Sequence, residues 1–147
     1  MPFSSRKQLP HSVPGWVPDG EKFFITICCQ KRGANQLCHA EIAKIIFSAA
    51  DHYQQSERWY CHLLLLMPDH LHGIFSFSRE TGMKQIIGHW KRYLAQQVGL
   101  KWQRDFFDHR LRNANELETK ATYILMNPVR KNLCEQPKDW RWVHRGG

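Results

Sequence analysis

The segment Met67-Pro68-Asp69-His70-Leu71-His72-Gly73-Ile74-Phe75-Ser76-Phe77 sets two histidines one residue apart directly after a Pro-Asp pair. Side chains alternate faces along a strand, so in an extended segment His70, His72, Ile74 and Ser76 share one face while Leu71, Gly73, Phe75 and Phe77 share the other. Burying the apolar side would hold both imidazoles at a fixed separation on the opposite side. That is a preorganised half of a metal site. The same pattern also suits two histidines that simply hydrogen-bond to neighbours or water, so the pair alone leaves both readings open.

Other elements must carry the pair. The apolar run Trp59-Tyr60-Cys61-His62-Leu63-Leu64-Leu65-Leu66, ended by Pro68-Asp69, reads as a buried strand entering a tight turn, with a second strand over about 70 to 78. Upstream, Phe23-Phe24-Ile25-Thr26-Ile27-Cys28-Cys29 has the β-branched and aromatic content of a central strand. Ile42, Ile45, Ile46, Ala49, Ala50 and Tyr53 recur with helical period, as do Met83, Ile86, Ile87, Trp90 and Leu94, and Gly99 closes the second helix. That helix turns Lys84, His89, Lys91 and Arg92 outward, a basic face for a polyanion or a solvated surface. Phe106 to Arg112 reads as a fourth strand. Strand, helix, strand, strand, helix, strand is the order of the split βαβ, ferredoxin-like α+β arrangement, an antiparallel sheet with both helices on one face. Its other face needs a cover or a ligand.

A last helix starts near Asn113 to Asn115, with Glu116 and Glu118 in its first turn, where the dipole favours acids. Leu117, Ala121, Ile124 and Pro128 form its inner stripe. Tyr123 lies off that stripe, on a side shared with Glu116, Thr119, Lys120 and Asn127. Asn127-Pro128 should end or kink the helix, because the residue before proline is pushed out of the α region.

The 147 residues suit one domain, 1 to 147, with a proline-rich extended arm over 1 to 20 and an irregular tail over 134 to 147 that packs back by its indoles. Arg6, Lys7, His11 and Trp16 could reach a nucleic acid from the arm. A net charge of +8 and 12% aromatics, six of them Trp, favour a polyanionic partner with unpaired bases over a membrane surface. The five cysteines lack any Cys-X-X-Cys spacing, which argues against a disulfide framework or zinc knuckle and for reduced thiols in a cytoplasm. Neither an export signal nor an apolar run of membrane-spanning length is expected.

Four stretches taken together carry a resemblance: Met-Pro-Asp-His-Leu-His (67 to 72), Trp-Gln-Arg-Asp-Phe-Phe-Asp-His (102 to 109), Tyr-Ile-Leu-Met-Asn-Pro-Val-Arg (123 to 130) and Pro-Lys-Asp-Trp-Arg-Trp (137 to 142). In this order they resemble the single-tyrosine HUH transposases, specifically the REP-associated tyrosine transposases, kin to the IS200-type enzymes. The resemblance implies a single-stranded DNA nickase and strand transferase acting at hairpin or palindromic sites. Tyr123 would be the nucleophile, leaving a 5′-phosphotyrosine and a free 3′-hydroxyl, and His70, His72 and Asn127 would hold Mg²⁺ or Mn²⁺. A phenol, ordinarily of pKa about 10, is a weak nucleophile at neutral pH, and Lys120 one turn away could assist it. Lys84, Lys91, Arg92, Arg104, Arg110 and Arg112 are the expected phosphate contacts, so binding should be salt-sensitive. The family includes dimers and monomers, so either a monomer or a homodimer is expected. Two alternatives stand beside this reading: a domesticated DNA-binding protein that no longer cleaves, and an unrelated zinc hydrolase using His70, His72 and His109.

Overall fold

The computed structural model describes residues 21–146, so the arm and its Arg6, Lys7, His11 and Trp16 lie outside the described residues. The elements are β1 (Lys22–Cys28), α1 (Ala40–Gln55), β2 (Trp59–Met67), β3 (His70–Phe77), α2 (Met83–Val98), β4 (Phe107–Leu111) and α3 (Ala114–Arg130), then a short 3-10 turn (Pro137–Asp139) and β5 (Val143–His144). The sheet is ordered β4-β1-β3-β2-β5 and every pairing is antiparallel. This is the expected ferredoxin-like split βαβ arrangement.

Register decides which side chains meet. Thr26 stands opposite His72, Cys28 opposite His70, and Phe24 opposite Ile74. On the other face Leu71, Phe75 and Phe77 join Ile25, Ile27 and the inner residues of α1 and α2 in the larger core. Gly73 belongs to that face, where a Cβ would collide with the Phe75 ring and the Leu63 carbonyl. With these layers buried, the strand that carries the histidines cannot slip by one residue without turning its apolar set outward.

The histidine face is covered by α3. Leu117, Ala121 and Ile124 pack on Phe24, Leu63, Leu65, Met67, Ile74 and Leu111. Asn113 caps the helix, its side chain accepting from Glu116 N–H at 2.8 Å, while Glu116 Oε1 accepts from Arg112 N–H at 2.6 Å.

Two expectations need correction. The helix does not end at Asn127-Pro128 but runs on to Arg130. Pro128 lies in the last turn, so its missing N–H deprives only one carbonyl, and burial of Ile124, Asn127 and Pro128 against the sheet offsets that loss. The tail is also less irregular than expected. Val143 and His144 pair with Leu65 and Leu64 as a fifth strand, Trp140 Nε1–H donates to Leu66 O at 2.9 Å, and His144 Nε2 bonds Asp51 at 2.7 Å.

Candidate active site

His70 and His72 project from β3 on the α3 face with ring centroids 4.8 Å apart. Each Nδ1 is engaged. His70 Nδ1–H donates to Asp69 Oδ1 at 2.8 Å, and His72 Nδ1 shares a 2.9 Å hydrogen bond with Thr26 Oγ1. Only the two Nε2 atoms remain for a ligand. An imidazole whose far nitrogen is held by a carboxylate or hydroxyl is oriented and fixed in tautomer as metal-binding histidines are.

Asp69 is itself anchored. It accepts from Arg32 Nε–H at 3.0 Å and from Gly33 N–H at 2.8 Å, tying the loop after β1 to the β2–β3 turn. Burial opposes its ionisation, but the bonds from Gly33, His70 and Arg32 outweigh that and hold it well below the usual carboxylate range. Desolvation pushes His72 down to about 3, with His70, Arg130, Lys120 and Arg32 adding positive potential in the same direction. Desolvation also lowers His70, against the pull of Asp69. Both rings are therefore neutral at neutral pH, and the potential that repels a proton from His72 attracts an anion.

Tyr123 reaches the same spot from α3. Its ring lies 6.1 Å from His72 and 6.2 Å from Phe24, centroid to centroid, and is 44% exposed. Phe24 stacks on His72 at 5.5 Å with 21° between planes, which fixes that ring further. Lys120 Nζ sits 4.6 Å from the Phe24 centroid and 5.1 Å from that of Tyr123, and the Arg130 guanidinium lies 4.3 Å over the Tyr123 ring. Arg130 also donates to Tyr123 O at 2.7 Å, bracing the turn between them. A single chain thus brings together the phenol, both imidazoles and two cations.

One turn beyond Tyr123, Asn127 is buried rather than on the polar side, because α3 lies close enough to β3 to cover it. No group of three His, Cys, Asp or Glu side chains converges among the described residues, so His109 does not join His70 and His72. Two imidazoles with an amide oxygen are a neutral donor set that fits a divalent ion shared with a phosphate oxygen.

The expected phosphate contacts are dispersed. Lys84, Lys91 and Arg92 belong to α2, which packs on the opposite face of the sheet. Lys91 Nζ donates to the Gln103, Arg104 and Asp105 carbonyls at 2.8, 3.2 and 3.3 Å. Arg110 pairs with Glu21 at 3.0 Å, and Arg112 stands exposed just before the N-cap of α3. Only Arg104 stands beside the histidine face, in a hollow shared with Thr26 and Phe107. The cations around the histidines are Arg32, Lys120, Arg130 and Lys131, the first and last lining a 240 Å³ hollow with Asp69 and His70. Sequence spacing already pointed to Lys120 and could have pointed to Arg130 through its helical phase with Tyr123, whereas Arg32 arrives from a loop with no local signal.

No family model matches the chain. A REP-associated tyrosine transposase of Escherichia coli is 30% identical over 81 residues, 52% of this chain and 48% of the relative, so the match spans about half of that protein. A Haemophilus influenzae protein of the same family name is 25% identical over 140 residues, 82% of this chain and 77% of the relative. A solved REP-associated tyrosine transposase bound to a REP hairpin has the same fold, with TM-score 0.75 and 21% identity over 90% of this chain and 81% of that one. The chain is similar to the REP-associated tyrosine transposases. The E. coli and H. influenzae proteins carry the likeness in sequence and the hairpin-bound structure carries it in fold. Among the described residues no helix is long and apolar enough to cross a membrane.

Proposed function

We propose that this chain cuts and rejoins single-stranded DNA at a hairpin or palindromic site, with Tyr123 as nucleophile. The observation that carries the reading is the approach of the Tyr123 and His72 rings to 6.1 Å within one chain, from a helix and a strand on facing layers. The hairpin held by the solved relative supports a DNA hairpin as partner. Tyr123 Oη would attack the scissile phosphorus, forming a P–O bond as the P–O3′ bond breaks. The phenolic proton passes to water at this half-exposed position, and the departing 3′-oxygen takes a proton to become a hydroxyl. Exchange of one phosphodiester for another conserves the bond for rejoining.

The residues divide the work. Asp69 and Thr26 aim the imidazoles, Phe24 holds the His72 ring, and Lys120 and Arg130 balance the charge of the incoming phosphate. His70, His72 and Asn127 would hold Mg²⁺ or Mn²⁺, which when bound supplies Lewis-acid polarisation of a phosphate oxygen. Because the groups meet within one chain, a monomer is sufficient for this chemistry.

The test is incubation with a hairpin oligonucleotide and Mg²⁺ or Mn²⁺, followed by denaturing electrophoresis. A protein–DNA adduct abolished by Tyr123→Phe is expected. Binding without an adduct in the parent protein would mark a domesticated DNA binder instead.

A further inference from the structure

Beside the histidines, on the same face of the sheet, lies a hollow of about 380 Å³ that this chemistry leaves unused, lined by Thr26, Cys28 and the Gln103–Phe107 stretch. Cross-strand register makes it continuous with the site, because Phe107 pairs with Thr26 and Thr26 pairs with His72. Phe107 therefore stands two strand spacings, roughly 10 Å, from His72 along one row. At 57% exposure it is the most exposed of the large apolar side chains among the described residues, and it meets Phe24 edge-on at 5.9 Å. A ring left this open has no packing role that demands it.

The wall of the hollow is built firmly. Lys91 reaches from α2 to hold the carbonyls of Gln103, Arg104 and Asp105, and Trp102 Nε1–H donates back to Lys91 O at 3.1 Å. Gln103 N–H donates to Cys28 O at 2.8 Å, and Cys29 bridges to Trp102. The side chains of Gln103, Arg104 and Asp105 are thereby left exposed at its rim, offering both donors and acceptors.

We propose that this hollow receives one unpaired base of the strand whose phosphate lies at His70 and His72, stacked on Phe107, with Lys91 as the positioning residue for its wall. The proposal rests on the reading of the chain as a single-strand DNA enzyme. A base is favoured over other planar ligands because the hollow adjoins a phosphate-attracting site flanked by Arg104 and Lys120, and a flat aromatic face beside a cationic track is how unpaired bases are held.

Affinity for a hairpin oligonucleotide with single-stranded flanks, measured by fluorescence anisotropy while each flank base in turn is replaced by an abasic residue, tests this. One abasic position should weaken binding to the parent protein about 10-fold, the scale of one base–aromatic stack. Phe107→Ala and Phe107→Leu should each lose a similar factor on the intact oligonucleotide and almost nothing more on that abasic one, while Phe107→Trp keeps parental affinity. Affinity of Phe107→Ala within 2-fold of the parent, or losses that multiply with every abasic position, would overturn the stacking role. A Tyr123-dependent adduct formed normally by such a protein would leave the proposed activity standing and this subsite refuted. Failure of the parent to bind any hairpin would refute both.

Discussion

Asp69→Asn isolates the scaffold of the histidine pair. Asp69 accepts from His70, Arg32 and Gly33 at 2.8, 3.0 and 2.8 Å. An asparagine has one carbonyl oxygen for these three donors, and its amino group must face at least one N–H. If the oxygen stays on His70, the Arg32 and Gly33 bonds go. Charge-assisted bonds contribute about 1.5–3 kcal/mol each, but Arg32 is half exposed and water replaces part of the loss, so about 2–3 kcal/mol of folding stability should disappear in total. If the oxygen leaves His70, the ring loses its orientation, and loss of such a partner typically costs 10–100-fold in metal affinity. Mn²⁺ binding followed by electron paramagnetic resonance, with hairpin DNA present and Tyr123→Phe in the background, reads the second effect without cleavage. Urea denaturation reads the first. The expected result is a Mn²⁺ midpoint raised 10–100-fold in a protein that remains folded, with Thr26→Val giving a shift of about 10-fold through His72. Midpoints within threefold of the parent in both folded Asp69→Asn and folded Thr26→Val would refute the assignment.

The salt dependence of hairpin binding should fall by about 0.7 in log–log slope for each of Lys120→Ala, Arg130→Ala and Lys131→Ala, while Lys84→Ala and Arg92→Ala on the far face leave it unchanged, measured by anisotropy from about 50 to about 300 mM salt. Burial holds His62 down to about 3 from 6.5, so the unfolded chain takes up a proton first as pH falls and stability drops from pH 6.5 toward 3. At pH 5 this amounts to about 2 kcal/mol, and urea titrations at pH 7 and 5 should show a smaller drop in His62→Phe. Ile124→Ala, at a fully buried contact of α3, should cost about 2–5 kcal/mol in denaturant unfolding and lower adduct yield as the helix loosens. Lys91→Met should free the 103–105 carbonyls, speed hydrogen exchange at Gln103 N–H, and blunt the difference between intact and abasic flanks without altering the Mn²⁺ midpoint.

Much of the scaffold was legible because it rests on periodicity. Alternation in 70 to 77 already separated the histidine face from the apolar face, and the i, i+3, i+4 recurrences located α1, α2 and α3. Local propensity misjudged Pro128, because a proline in a last turn costs one carbonyl its donor and buried neighbours offset it. The basic face of α2 was visible as a helix face, yet nothing local tells on which side of a sheet a helix packs. Lys91 consequently starts from the far face and is engaged by the carbonyls of Gln103, Arg104 and Asp105.

By itself the sequence determined the succession of elements from β1 to α3, the common orientation of His70 and His72, and the separation of Tyr123 from its helix's apolar stripe, since each rests on periodicity within an element. The tertiary structure alone decided that α3 covers the histidine face of the same chain, that Asp69 and Thr26 hold the two rings, and that Arg32, Lys120, Arg130 and Lys131 gather around them. Those are contacts between residues far apart along the chain, and only cross-strand register and helix packing bring them within bonding distance.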